Sequence, residues 1–156
     1  MIIQTARLRL RPYCHADVDQ LHALWTEPGV RRYLCDDLVI SREQAVDVVA
    51  SGVIDWAARS YGQWVINLRG SGAIVGFCGF RPSSWSTAPE LLFGLAPSYW
   101  RQGLATEAAR AALDFIFNLR HVDRIVGATD VANAASVRVL ERLGMRLQRR
   151  APLNGL

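Results

Sequence analysis

Between Thr5 and Tyr13, arginine alternates with apolar residues: Arg7-Leu8-Arg9-Leu10-Arg11. A period of two puts leucines on one face and guanidiniums on the other, which predicts a half-exposed strand stopped by Pro12. From Asp17 the period lengthens. Val18, Leu21 and Leu24-Trp25 recur at helical spacing until Pro28-Gly29, and a second short helix carries Val30, Tyr33 and Leu34. Ser41 followed by Gln44 has the form of a capping box and opens a helix through about Ala58. Two apolar runs, Gln63–Arg69 and Ala73–Arg81, flank Gly70-Ser71-Gly72 and read as a hairpin. A loop rich in Pro, Ser and Thr leads to a strand at Glu90–Ala96, ended by Pro97. Gly103–Asn118 is predicted as a helix with Leu104, Ala108, Ala111-Ala112 and Phe115 on its buried face. A strand at Arg124–Asp130, a helix at Asn133–Leu143 capped by Gly144 and a last strand at Met145–Arg150 complete the pattern. The order, strands and hairpin first and then β-α-β-α-β, predicts an α+β or three-layer α/β architecture.

The 156 residues suit one domain spanning 1–156, and half of them are hydrophobic, a globular balance. Net charge is +4, and every positive side chain is Arg; Lys is absent. Guanidinium stays protonated at any physiological pH, so the field does not titrate away. It suits an anionic ligand, or simply a solvated surface. The arginines are scattered and no basic run is interleaved with aromatics, which argues against nucleic acid. Cys14, Cys35 and Cys78 match neither zinc spacing nor a redox pair, so no metal is expected and the thiols read as reduced. Met1-Ile2-Ile3-Gln4 is not a signal peptide, and no apolar run is long enough to span a membrane. Cytoplasm is the expected compartment.

The chemically informative stretch is Ser98-Tyr99-Trp100-Arg101-Gln102-Gly103-Leu104-Ala105-Thr106-Glu107, which joins a strand to a helix. Helix starts carry unpaired N–H groups and a positive dipole end, and the small Gly103 and Ala105 let a phosphate approach that backbone. Arg101 adds charge from the rim. Without Lys the turn is not a P-loop, and the three glycines of a dinucleotide fingerprint are missing. A pyrophosphate site of another type, or an ordinary strand–helix connection, remains.

Residues 90–107, Glu-Leu-Leu-Phe-Gly-Leu-Ala-Pro-Ser-Tyr-Trp-Arg-Gln-Gly-Leu-Ala-Thr-Glu, resemble the central motif of GNAT acetyltransferases, in the form found in the RimJ/RimL group. Asn133-Ala-Ala-Ser136-Val-Arg-Val-Leu140-Glu-Arg-Leu-Gly144-Met145 resembles the second signature, and the likeness covers about residues 4–147. The resemblance implies a GNAT-like, mixed but largely antiparallel central sheet flanked by helices, here lacking the last strand. It also implies acetyl-CoA as cosubstrate. The amides around Gln102, Gly103, Leu104, Ala105 and Thr106, with Arg101, would hold the pyrophosphate. The backbone at Leu95 would pair with the pantetheine arm and face the thioester carbonyl. Asn133 and Ser136 would bond the pantetheine, and Asn133 also reads as a plain helix N-cap.

The implied reaction is acetyl transfer to a primary amine, most of all the N-terminal α-amine of a protein. The alternatives are a small-molecule amine (polyamine, amino acid or aminoglycoside) and a catalytically silent acyl-CoA-binding module. An α-amine with a pKa of about 8 is about one-tenth neutral at pH 7, so a weak base suffices. Glu90, matching the family's strand glutamate, is the candidate base. Leu140 stands where many relatives carry a thiol-protonating Tyr, leaving Tyr99 and Ser136 as candidate donors. Asn154-Gly155 signals a hairpin turn with only Leu156 after it. The expectation is a homodimer in which one chain's C-terminal segment covers the other's sheet edge, or else a shortened form of a longer chain.

Overall fold

The computed structural model describes residues 1–119 and 121–152. β2 (Leu8–Pro12) obeys the alternation seen in the sequence: Leu8 and Leu10 are fully buried, and its arginines are not. β1 (Ile3–Gln4) pairs with it, and Trp64 fixes that end by donating its indole N–H to the Met1 carbonyl at 2.9 Å. β3 (Gln63–Leu68), β4 (Ile74–Arg81) and β5 (Glu90–Leu95) follow, and all neighbours in the order β1-β2-β3-β4-β5 are antiparallel.

The sheet is covered on both faces. Trp64, Ile66, Cys78 and Phe80 share one cluster with α4 (Leu104–Phe117). Ala108, Ala109 and Ala112 of that helix are fully buried, and their small side chains let it lie close to the sheet. Val65 and Phe77 point the other way, into a cluster with α1 (Val18–Thr26) and α3 (Arg42–Arg59). The alternation along β3 and β4 thus produces three layers, the α+β architecture the sequence implies. α3 opens on the capping box: the Ser41 hydroxyl accepts from the Gln44 N–H at 3.1 Å, and the Gln44 amide oxygen accepts from the Ser41 N–H at 2.8 Å. Pro28 is the first residue of α2 (Pro28–Leu34) rather than only a breaker, because its missing N–H costs nothing there.

Two predicted strands do not form. In Arg124–Asp130 only Val126 pairs, in a parallel bridge with Glu90. Its N–H donates to the Pro89 carbonyl at 3.0 Å, and its carbonyl accepts from the Leu91 N–H at 2.9 Å. From Gly127 onward the chain leaves β5, and this divergence opens the cleft described below. Met145–Arg150 makes no strand: it carries three arginines and an exposed Leu147, so it lacks an apolar face to dock. The helix after the cleft does form, as α5 (Ala134–Arg142). The Asn154-Gly155 turn, and the dimer contact expected from it, lie outside the described residues. No helix among them is long and apolar enough to cross a membrane.

Candidate active site: the cleft beside the fifth strand

β5 has one paired edge and one largely free edge. Ala96 donates to Val75 on the β4 side, whereas Leu91 donates away from β4, to Val126. Backbone groups alternate along a strand, so the N–H and C=O of Phe93 and Leu95 also point away from β4. They face a cleft of about 680 Å³, walled by β5, the Ala128–Ala132 stretch, α5, α2 and the first turn of α4. The Leu95 carbonyl is already taken: the Trp100 indole N–H donates to it at 2.8 Å. The N–H groups of Phe93 and Leu95 remain to meet a ligand.

The other end of the cleft is the start of α4. Gly103 is its N-cap, with φ 75°, a left-handed value that glycine adopts without penalty, and no side chain caps the helix. The N–H groups of Leu104, Ala105 and Thr106 have no partner within the helix. The Thr106 hydroxyl oxygen is buried beside them without a hydrogen-bond partner. This donor set fits the pyrophosphate of acetyl-CoA. An ion-pair network braces the turn. The Arg7 Nε donates to the Glu107 carboxylate at 2.7 Å, its backbone N–H donates at 2.9 Å, and the Thr5 hydroxyl donates at 2.6 Å. Arg7 also donates from Nη1 to the Gln102 carbonyl at 2.8 Å. Burial alone would raise the Glu107 carboxyl pKa, but the hydrogen bonds from Thr5 and Arg7 outweigh it and hold the pKa below the usual range.

Of the residues singled out from the sequence, Leu95, Arg101, Gly103, Leu104, Ala105, Thr106, Asn133 and Ser136 all line this cleft. Gln102 does not: its side chain turns back to the Ser98 carbonyl at 3.4 Å. The Asn133 side chain accepts from the Ser136 N–H at 3.2 Å, so it caps α5 while lining the cleft. Glu90 is not brought to the cleft. Its carboxylate is buried, 5% exposed as a residue, and accepts from the Arg81 Nε at 3.0 Å, directly across the β4–β5 register. That pair braces the start of β5, and the Glu90 carboxylate does not line the cleft, so any action on an amine there would run through water.

Three contributors escaped sequence reading. Arg7 was visible only as part of a strand alternation. Trp100 stood only as one residue of the Ser98–Glu107 stretch, yet its ring packs on α2: a Cβ at Gly29 would lie 2.9 Å from its Cη2. Tyr33 reaches from α2 across the cleft and donates its hydroxyl proton to the Ala132 carbonyl at 3.4 Å.

Over residues 7–146 the sequence matches the family described as acetyltransferase (GNAT) domain, and the chain belongs to that family: it is an acetyl-CoA-dependent N-acetyltransferase. It is 33% identical over 153 residues to the uncharacterized protein YkkB of Bacillus subtilis (strain 168), covering 90% of this chain and 83% of that one. The acetyltransferase from Agrobacterium tumefaciens str. C58 superposes with a TM-score of 0.86 at 25% identity, over 99% of this chain and 88% of that one. RimL, a ribosomal L7/L12 alpha-N-protein acetyltransferase solved in complex with coenzyme A, shares the fold. Its TM-score is 0.74 at 23% identity, over 92% and 82% of the two chains.

Proposed function

We propose that this enzyme transfers the acetyl group of acetyl-CoA to the N-terminal α-amine of a protein. The observation that carries the reading is the cleft, with unpaired helix-start amides at one end and the outward N–H groups of Phe93 and Leu95 along its strand wall. The amides of Leu104, Ala105 and Thr106 take the pyrophosphate, with Arg101 at the rim. The Leu95 N–H faces the thioester carbonyl and meets the negative charge that develops on its oxygen, a contribution of about 3 kcal/mol when well aimed. Asn133 and Ser136 hold the pantetheine arm. With Leu140 in place of a donor, CoA leaves as thiolate; a thiol pKa of about 8.5 permits this. Tyr99 and Ser136, both in the cleft wall, are the candidate proton donors to it.

The preference for a protein α-amine rests on the RimJ/RimL form of residues 90–107; the likeness to RimL itself supports the fold alone. Cytoplasm is the compartment that fits three free thiols and a CoA substrate. The test is thiol release from acetyl-CoA by the purified protein with four acceptors. These are a lysine-free peptide with a free N-terminus, an N-blocked peptide containing lysine, spermidine and an aminoglycoside. Release only with the free N-terminus, and an acetyl group on that residue by mass spectrometry, is the expected result. Turnover with spermidine or the aminoglycoside alone would make this a small-molecule enzyme. Tight acetyl-CoA binding without turnover would make it a binding module.

A further inference from the structure

Among the described residues, no carboxylate and no imidazole lines the cleft, although the chain carries 14 carboxylates and three histidines. Six of those carboxylates, Glu90 and Glu107 among them, are bound to arginines elsewhere. His22 is held at the Ile40 carbonyl and His121 stacks on Tyr61. The residues outside the described set, Arg120 and 153–156, include no Asp, Glu or His.

The ionisable side chains that do face the cleft are few. α2 contributes Tyr33, the turn before α4 contributes Tyr99 and Arg101, and α5 contributes Arg138 and Arg142. β4, β5, α4 and the 128–132 segment contribute none. A neutral phenol donates a proton, and Tyr33 already spends its own on Ala132. The three guanidiniums are fixed positive charges that disfavour an ammonium nearby.

We propose that the enzyme removes no proton from its acceptor: the amine ionises in bulk water, enters neutral, and its own acidity sets both the pH profile and the selectivity. This rests on the cleft being the transfer site. One ammonium proton goes to water before binding. The amine lone pair then attacks the thioester carbon, the C–N bond forms and the C–S bond breaks. The second nitrogen proton ends on the departing thiolate, giving an amide and CoA thiol, or on water, giving an amide and CoA thiolate. At pH 7 about one-tenth of an α-amine is neutral, against about four in ten thousand of a lysine-type amine, a gap of about 200-fold. The ε-amine's greater nucleophilicity recovers part of that gap, so α-amines are favoured by more than tenfold.

The experiment uses three peptides of one sequence, capped at the N-terminus by glycyl, β-alanyl or 6-aminohexanoyl, so that amine pKa rises along the series. kcat/KM for each is measured from pH 6 to 10 at saturating acetyl-CoA, and each amine pKa is measured separately by NMR. The expected result is unit slope with a break at the acceptor's own pKa for the glycyl and β-alanyl peptides, the second above the first, and unit slope with no break up to pH 10 for the 6-aminohexanoyl peptide, whose amine pKa is about 10.4. A break at one pH for all three would assign a base to the enzyme and overturn the inference while leaving the proposed function intact. No transfer to any of the three would remove both.

Discussion

Trp100→Phe isolates the hydrogen bond that ties the turn before α4 to β5. The substitution deletes the indole N–H held at 2.8 Å by the Leu95 carbonyl and shortens the ring that leans on Gly29. The Leu95 carbonyl faces the open cleft, so water can replace the lost donor. The loss is therefore one ordinary hydrogen bond and some packing, about 1–2 kcal/mol. For a domain of this size that lowers Tm by roughly 3–6 °C. The catalytic effect is larger in proportion. If the released edge lets the Leu95 N–H swing off the thioester carbonyl, part of its contribution of about 3 kcal/mol disappears, and kcat falls about tenfold. KM for acetyl-CoA moves less than threefold, because the start of α4 is untouched. Thermal melts and steady-state thiol release measure the two effects side by side. Gly29→Ala, whose Cβ crowds the same ring, should reproduce the kcat loss, and the double variant should lose less than the two singles combined. A kcat within twofold of wild type alongside the expected Tm drop would show that the indole only fills space.

Gly103→Glu should weaken acetyl-CoA binding by more than tenfold in calorimetry, whereas Gly103→Asn, which tolerates the left-handed backbone, should keep most of it. Unchanged affinity in Gly103→Glu would shift the phosphate site elsewhere. Glu90→Gln should lower Tm through its half-broken pair with Arg81, while any fall in kcat stays constant with pH; a loss that shrinks as pH rises would restore Glu90 as the base. Asp17→Asn concerns a buried carboxylate. Burial alone would raise its pKa, but two hydrogen bonds from Arg11 and one from the Cys14 N–H hold it below the usual range. A depressed folded pKa stabilises above the unfolded pKa of about 4 and is lost as pH falls through the lower folded value. Urea titrations should therefore show a deficit of about 2–3 kcal/mol at pH 7, discounted because Arg11 is partly exposed, shrinking toward pH 3. An unchanged deficit at the two pH values would count against this linkage.

Where a signal is local, the sequence read well. Arginine alternation marks β2, the Ser41/Gln44 pair marks the start of α3, and Gly103 marks the turn into α4, because each depends on residues within one turn or one strand. The misreadings depend on distance. Arg7 meets the Gln102 carbonyl 95 positions away, and no local pattern announces it. Arg124–Asp130 has the apolar residues of a strand, but the cleft needs it to part from β5 after a single bridge. Glu90 resembles the family's strand glutamate, yet the β4–β5 register sets it against Arg81, and that pairing decides its environment. β1 is two residues long and owes its place to Trp64 and to β2.

All six ion pairs among the described residues use arginine. An enzyme that handles an activated acetyl thioester exposes its own amines to that reagent. A lysine at position 7, beside the turn proposed to hold the phosphates, would be a nearby nucleophile, and its acetylation would cut the bond to Glu107. Guanidinium does not react this way under physiological conditions. The network that braces the candidate site is thus chemically inert toward an acetyl thioester, and no side chain of this protein can become a product of its own reaction at an amine.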